Sequence, residues 1–160
     1  MLASSFGETR MTSHIGTIRS GILLLGLLLA MPVVVLADAV DRLTPADRAA
    51  IHDVIAGQIA AFRADDAATA FSYATAKIQA RFGDPSRFIA MVKRGYLPVY
   101  RPRHVEFSEL LDLHGDPAQR VVVIGPENDV FSAYYLMKKQ RDGSWRIDGC
   151  LLRPISDRAI

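Results

Sequence analysis

The hydrophobic period of this chain changes once, near Tyr96, and that change restricts the folds open to it. Upstream, apolar residues recur at helical spacing; downstream they fall in short β-branched runs between turns. Thr44-Pro45-Ala46-Asp47 reads as a helix start: Thr at the N-cap, Pro at the first helical position, and an acid facing the positive helix end. Ile51, Val54, Ile55, Ile59 and Phe62 then make one apolar stripe. A second helix is predicted from Asp65 to Thr75 with Ala67, Ala70, Phe71 and Ala74 on its face. A short third turn carries Ile78 and Phe82. Asp84-Pro85 opens a fourth helix with Phe88, Ile89 and Val92 inward, stopped by Gly95.

Past Tyr96, Leu97-Pro98 and Arg101-Pro102 predict extended backbone at Leu97 and Arg101, since a residue before proline avoids the helical region. His104 to Leu113 reads as a strand whose alternation breaks at Leu110-Leu111, the mark of a bulge. Gly115-Asp116-Pro117 turns the chain into Gln119–Ile124, a run suited to burial on both faces. Gly125-Pro126-Glu127-Asn128 turns it back into Val130–Lys139. Asp142-Gly143 suggests a two-residue type I′ hairpin, with positive φ at both positions, leading into Ser144–Leu152. Four helical segments followed by a four-stranded antiparallel meander give an α+β fold, with the helices on one face of the sheet.

Residues 1–37 read differently. The run from Gly21 to Ala37 carries no charge, Arg10 and Arg19 precede it, and small residues at Val35-Leu36-Ala37 and Ala37-Asp38-Ala39 offer cleavage sites. That is the pattern of a secretory signal peptide and predicts a periplasmic or secreted protein. The rival is an uncleaved anchor, the one route by which this chain would meet a membrane; Pro32 interrupts the run and argues for cleavage. Met11 is an alternative start. Residues 38–43 form a short linker, 44–153 the domain and 154–160 a tail. Loss of the leader removes Arg10, Arg19 and Glu8, leaving 17 basic and 16 acidic side chains. That balance argues against nucleic acid as a partner. Cys150 is the only cysteine, so no internal disulfide forms, and it reads as a small buried hydrophobe.

Few residues suggest chemistry. The stretch from Lys93 to His104 holds Arg94, Tyr96, Tyr100, Arg101, Arg103 and His104 with no acid among them. Arginine forks between aromatic faces suit a small anionic ligand or an acidic protein surface. Equally, Lys93 and Arg94 suit the negative end of helix four, with the tyrosines in the core. Gln58 occupies a stripe position where an apolar residue belongs. It either bonds a strand backbone or the hydroxyl of Tyr134 or Tyr135, or it points into a pocket. Gly57 beside it indicates close packing. In the last strand, strict alternation puts Trp145, Ile147, Gly149 and Leu151 on the core face, and Arg146, Asp148, Cys150 and Leu152 on the other. A gap at Gly149 then marks a helix approaching closely or the start of a cavity. Asp148 is a general base if buried, but more simply an arginine partner. The histidines show no metal-ligand spacing, so neither a metal nor another cofactor is expected.

The helix stripe with Gln58, the Ala61-Phe62-Arg63-Ala64-Asp65-Asp66 step and the closing Asp-Gly-Ser-Trp-Arg-Ile-Asp-Gly resemble the NTF2-like superfamily. Arg94-Gly95-Tyr96-Leu97-Pro98-Val99-Tyr100-Arg101-Pro102-Arg103 together with Trp145-Arg146-Ile147-Asp148-Gly149-Cys150 is more narrowly similar to the bacterial family of unknown function DUF4864, over Leu43 to Leu152. The resemblance implies a cone, a curved antiparallel sheet wrapped around helices, and a homodimer as in many relatives. Those relatives include isomerases, dehydratases and non-catalytic binding or assembly domains, so the fold does not choose a function. Non-catalytic binding of a small molecule or protein partner in the cell envelope is the leading expectation. Gln58, Tyr134 and Asp148 are its candidate pocket residues, and the basic segment is its candidate grip. A lyase or isomerase with an acid–base pair inside the cone, and a structural assembly module, are the alternatives.

Overall fold

The computed structural model describes residues 39–155. The leader at 1–37, with its cleavage sites and alternative start, lies outside the described residues, as do positions 156–160 of the tail. Among the described residues no helix is long and apolar enough to cross a membrane.

Helix α1 spans Pro45–Arg63 and begins in a capping box: the Thr44 hydroxyl accepts from the Asp47 N–H at 3.1 Å while the Asp47 carboxylate accepts from the Thr44 N–H at 3.1 Å. Ile51, Ile55, Ile59 and Phe62 are buried along one side, as the stripe requires, and Val54 is half-buried at its margin. Gly57 is dictated by contact. A Cβ there would lie 2.6 Å from Cζ of Tyr73.

Helix α2, Ala67–Ser72, is capped by Asp66 and ends earlier than its periodicity predicts. The reason is competition from the sheet. Tyr73 and Thr75 leave the helix to bridge Ile147, whose N–H donates to the Tyr73 carbonyl at 2.9 Å and whose carbonyl accepts from the Thr75 N–H at 2.9 Å. Thr75 then caps α3, Ala76–Phe82, which closes on Gly83 at φ 79°. Helix α4, Pro85–Gly95, is capped by Asp84 and turns at Tyr96 (φ −136°, ψ 35°), so Gly95 ends it without a left-handed conformation.

The next segment departs from expectation. Leu97–Tyr100 is a fifth short helix, α5, with Pro98 in its first turn, where proline lacks only an N–H that has no helical partner anyway. The pre-proline preference at Leu97 yields to this packing; Pro98, Val99 and Tyr100 are all buried. Arg101 (φ −132°, ψ 61°) is non-helical, as its following proline requires.

Strands β1 (His104–Leu113), β2 (Asp116–Ile124), β3 (Val130–Lys139) and β4 (Trp145–Pro154) pair antiparallel in the order β1-β2-β3-β4. The fold is α+β, consistent with the cone that the sequence resemblance implies. The bulge in β1 falls between Phe107 and Leu110, as read. Two turns differ. The two-residue type I′ geometry belongs to His114-Gly115, at φ 60° and 87°. At Asp142-Gly143 only Gly143 has positive φ, at 84°, and its N–H donates to the Gln140 carbonyl at 3.0 Å, making a three-residue loop closed by a glycine bulge. In β2, Val121 and Val123 are fully buried against the helices, whereas Val122 and Ile124 on the outer face are half-buried.

A second bulge, in β4, overturns the facing deduced from strict alternation. Leu136 pairs with Gly149 but Met137 pairs with Ile147, leaving Asp148 as the extra residue. Trp145 and Ile147 keep the core face, while Cys150 and Leu152 switch onto it and pack against the core. Gly149 and Leu151 turn outward, where Leu151 is 46% exposed. The space beside Gly149 is taken by the Leu136 side chain across the sheet, with no helix involved.

The hairpin before β4 is tied to the start of α1. Asp47 Oδ1 accepts from the Trp145 indole at 3.0 Å and from Lys139 Nζ at 2.7 Å. These bonds, with those from Thr44, hold the Asp47 carboxyl well below its ordinary pKa of 3.8. Its folded pKa is depressed, so the stabilisation is present above the unfolded carboxylate's pKa and is lost as pH falls towards the folded value. Asp47→Asn should therefore lower the melting temperature at neutral pH and narrow its gap to the wild type below about pH 4. Parallel melting curves across that range would refute the role. Gly57→Ala pits about 1 kcal/mol of helix propensity against about 1–3 kcal/mol of overpacking, so a net loss is expected. In a Tyr73→Ala background the same change should become stabilising, measurable by urea denaturation.

Candidate functional site

The sheet's core face is not completely filled. Between α1, α3, α4 and the middle of β3 and β4 lies a cavity of about 370 Å³. Its wall is mainly apolar: Phe62 from α1, Ile78 and Phe82 from α3, Phe88, Met91 and Val92 from α4, and Ile147 from β4. Phe88 packs in tilted and edge-on contacts with Phe62, Phe71 and Phe82, ring centroids 5.2–6.2 Å apart, which fixes that wall. The β4 bulge opens the opposite wall, bringing Asp148, Gly149 and Cys150 to the cavity together with Ile147.

Polar groups converge on this apolar space. Tyr135, in phase with buried Ala133 and Met137 on β3, has no exposed surface, and its hydroxyl has no hydrogen-bond partner among the described residues. Burial pushes its pKa well above the ordinary 10.0. Tyr96 donates to the Cys150 carbonyl at 3.0 Å, and its pKa is raised by burial first and the neighbouring Cys150 second. Gln58, 4% exposed, donates through Nε2 to the Ala70 carbonyl at 3.1 Å. Its partner is thus helix α2, neither a strand nor a tyrosine. At the rim, Asp148 accepts from Thr75 Oγ1 at 2.7 Å and from Lys77 Nζ at 3.0 Å, so its partner is a lysine and not Arg146 or Arg153. Arg81 stands exposed on the last turn of α3.

Of the predicted pocket residues, Gln58 and Asp148 line the cavity. Tyr134 does not: it pairs with Arg120 and Leu151 on the outer face, and Tyr135 takes the place intended for it. The six residues of the basic segment are dispersed. Only Tyr96 reaches the cavity. Arg101 donates to Asp65 at 2.5 Å and to the Phe62 carbonyl, and its guanidinium lies 4.0 Å over the Tyr100 ring. Tyr100 itself donates to Asp65, and Lys93 lies 3.7 Å from the same carboxylate. Asp65 sits at φ 57° between α1 and α2, so these groups lock that junction. Tyr100 and then Arg101 hold its carboxyl below the ordinary range. Arg94 is exposed on the last turn of α4, Arg103 is exposed with its N–H donating to the Ile124 carbonyl, and His104 is exposed at the start of β1.

Sequence reasoning undervalued Tyr135, Arg81 and Cys150. The signal for Tyr135 was its two-residue spacing from Ala133 and Met137; Cys150 was hidden by the bulge. Among the described residues no group of three or more His, Cys, Asp or Glu could hold a metal ion.

A family model described as a domain of unknown function, DUF4864, matches residues 44–160, a stretch that takes in every helix and strand above. The chain belongs to the DUF4864 family. No curated protein and no solved structure matches it. In this DUF4864 member, the cavity is the feature that the core does not need.

Burial raises the Cys150 thiol from 9.0 to about 12. A shift of that size leaves about a thousandfold less thiolate near neutral pH, so iodoacetamide should label the native protein far more slowly than the unfolded chain. Labelling at the rate of a free thiol would show the sulfur open to solvent. The folded pKa is raised, so the native state holds protons that the unfolded chain sheds. Stability should accordingly fall as pH climbs above about 9.

Proposed function

We propose that this chain is an exported, NTF2-like binding protein that holds a small, largely apolar molecule in the cavity between α3, α4 and β4 without transforming it. The unpartnered Tyr135 hydroxyl carries this reading. A buried hydroxyl left without a partner costs about 1–3 kcal/mol, and native proteins rarely tolerate one. Here it belongs to a wall of a cavity whose volume lies in the range of ligand pockets. A ligand oxygen would supply the missing acceptor.

The acid–base alternative needs a carboxylate free to take a proton. Asp148 has both oxygens engaged, by Thr75 and Lys77, which favours binding without catalysis. The uncharged Gly21–Ala37 run supports export, and with it a role in the cell envelope. Helices followed by a bulged antiparallel meander support the NTF2-like placement.

The neutral fluorophore prodan, which carries a carbonyl acceptor, tests the reading. Its emission should shift to the blue and saturate with wild-type protein, and Met91→Trp, which fills the cavity, should abolish the shift while the circular dichroism stays native. Tyr135→Phe should weaken binding about tenfold, the worth of one hydrogen bond. The same variant should raise the stability of the free protein by about 1 kcal/mol, since it removes an unsatisfied donor. A Tyr135→Phe protein that is less stable and binds prodan unchanged would make the hydroxyl structural and end the proposal.

A further inference from the structure

We propose that the cavity's ligand is an organic acid, its apolar body among Ile78, Phe82, Phe88 and Met91 and its carboxylate at Arg81. This rests on the reading that the cavity holds a ligand at all, and it names what kind. Among the described residues two charged ones line the cavity, Arg81 and Asp148. Asp148 is already neutralised by Lys77 at 3.0 Å. Arg81 is not: among the described residues its guanidinium makes no ion pair and no side-chain hydrogen bond, and the residue is exposed. The rim therefore carries one surplus positive charge, and that charge is felt at the Tyr96 hydroxyl on the same cavity.

An arginine fork matches a carboxylate with two parallel hydrogen bonds, a geometry that an alcohol cannot reproduce. A cation would meet Arg81 as a like charge, and the Asp148 carboxylate of the same cavity is already paired with Lys77. The second, independent sign of a ligand is the fully buried Tyr135 hydroxyl, which has no acceptor. By contrast, Arg101, one arginine of the basic segment expected to be the grip, is spent inside the chain on Asp65 and the Phe62 carbonyl. Arg81 is the free one beside the cavity.

Titration calorimetry of the full chain with octanoate, 1-octanol and octylammonium, three probes with one tail and different heads, separates the possibilities. Octanoate is expected to bind about tenfold more tightly than octanol, with octylammonium weakest. In Arg81→Gln the ratio of octanoate to octanol affinity should collapse towards one, and added salt should shrink it in the wild type. Octanol binding as tightly as octanoate to the wild type, with prodan still bound, would overturn the acid assignment and leave the cavity reading intact. An undiminished ratio in Arg81→Gln would overturn it too. Failure of all three probes and of prodan would sink the binding proposal beneath it.

Discussion

The start of α1 is held against the last hairpin by the Asp47 carboxylate, and the core between helix and sheet is built from that attachment. The carboxylate accepts from the backbone of its own helix cap, from Lys139 at the end of β3 and from the Trp145 indole at the start of β4. A helix N-terminus is already a favourable place for an anion. Here the anion also gathers donors from residues more than ninety positions away. Trp145 thereby buries its ring, 6% exposed, while its N–H stays satisfied, the condition under which a tryptophan serves a core. With the hairpin fixed at one end of α1, Ile51 and Ile55 are pressed onto the sheet and Gln58 is carried to the margin where the cavity begins.

The other end of β4 is governed by a single extra residue. Without the Asp148 bulge, Cys150 and Leu152 would face outward and Leu151 would enter the core. With it, the strand switches its phase at one residue and presents Cys150 and Leu152 to the core. The bridge from Ala74 to Ile147 ties the segment before α3 to this strand, beside the bulge. The bulge thus brings Asp148 and Cys150 to the cavity, and Tyr135 and Arg81 give it chemical direction.

The helices were legible because their signals are local. Thr44-Pro45, Asp84-Pro85 and the apolar stripes specify start and face within one or two turns. Where the structure departed from expectation, a distant partner had intervened. Ile147 drew Tyr73 and Thr75 out of α2, and burial of Val99 and Tyr100 coiled Leu97–Tyr100 into α5 despite a proline. Single-residue phase errors had the largest effect on the site. Choosing Tyr134 over Tyr135 put one proposed pocket residue on the wrong face of the sheet, and missing the extra residue at Asp148 hid Cys150 from the site. The basic segment misled for a related reason. Asp65 lies about thirty residues upstream, so Lys93 and Arg101 looked free in the sequence when they were already paired.

That pairing explains how a chain with nearly balanced charge can still present a selective rim. Arg101, Arg120, Lys77, Lys138 and Lys139 each face a carboxylate of this chain. Ion pairs of this exposed kind add little stability individually, but they remove charges from the set available to a ligand. What is left over is therefore more informative than what is abundant. At the cavity the remainder is one guanidinium at the edge and one phenol donor in the wall, with apolar surface between. An apolar cavity alone would admit any greasy molecule of suitable volume. Two unpaired donors, one of them charged, narrow that set to ligands bearing acceptors, because each wrong choice leaves a donor desolvated and unmet.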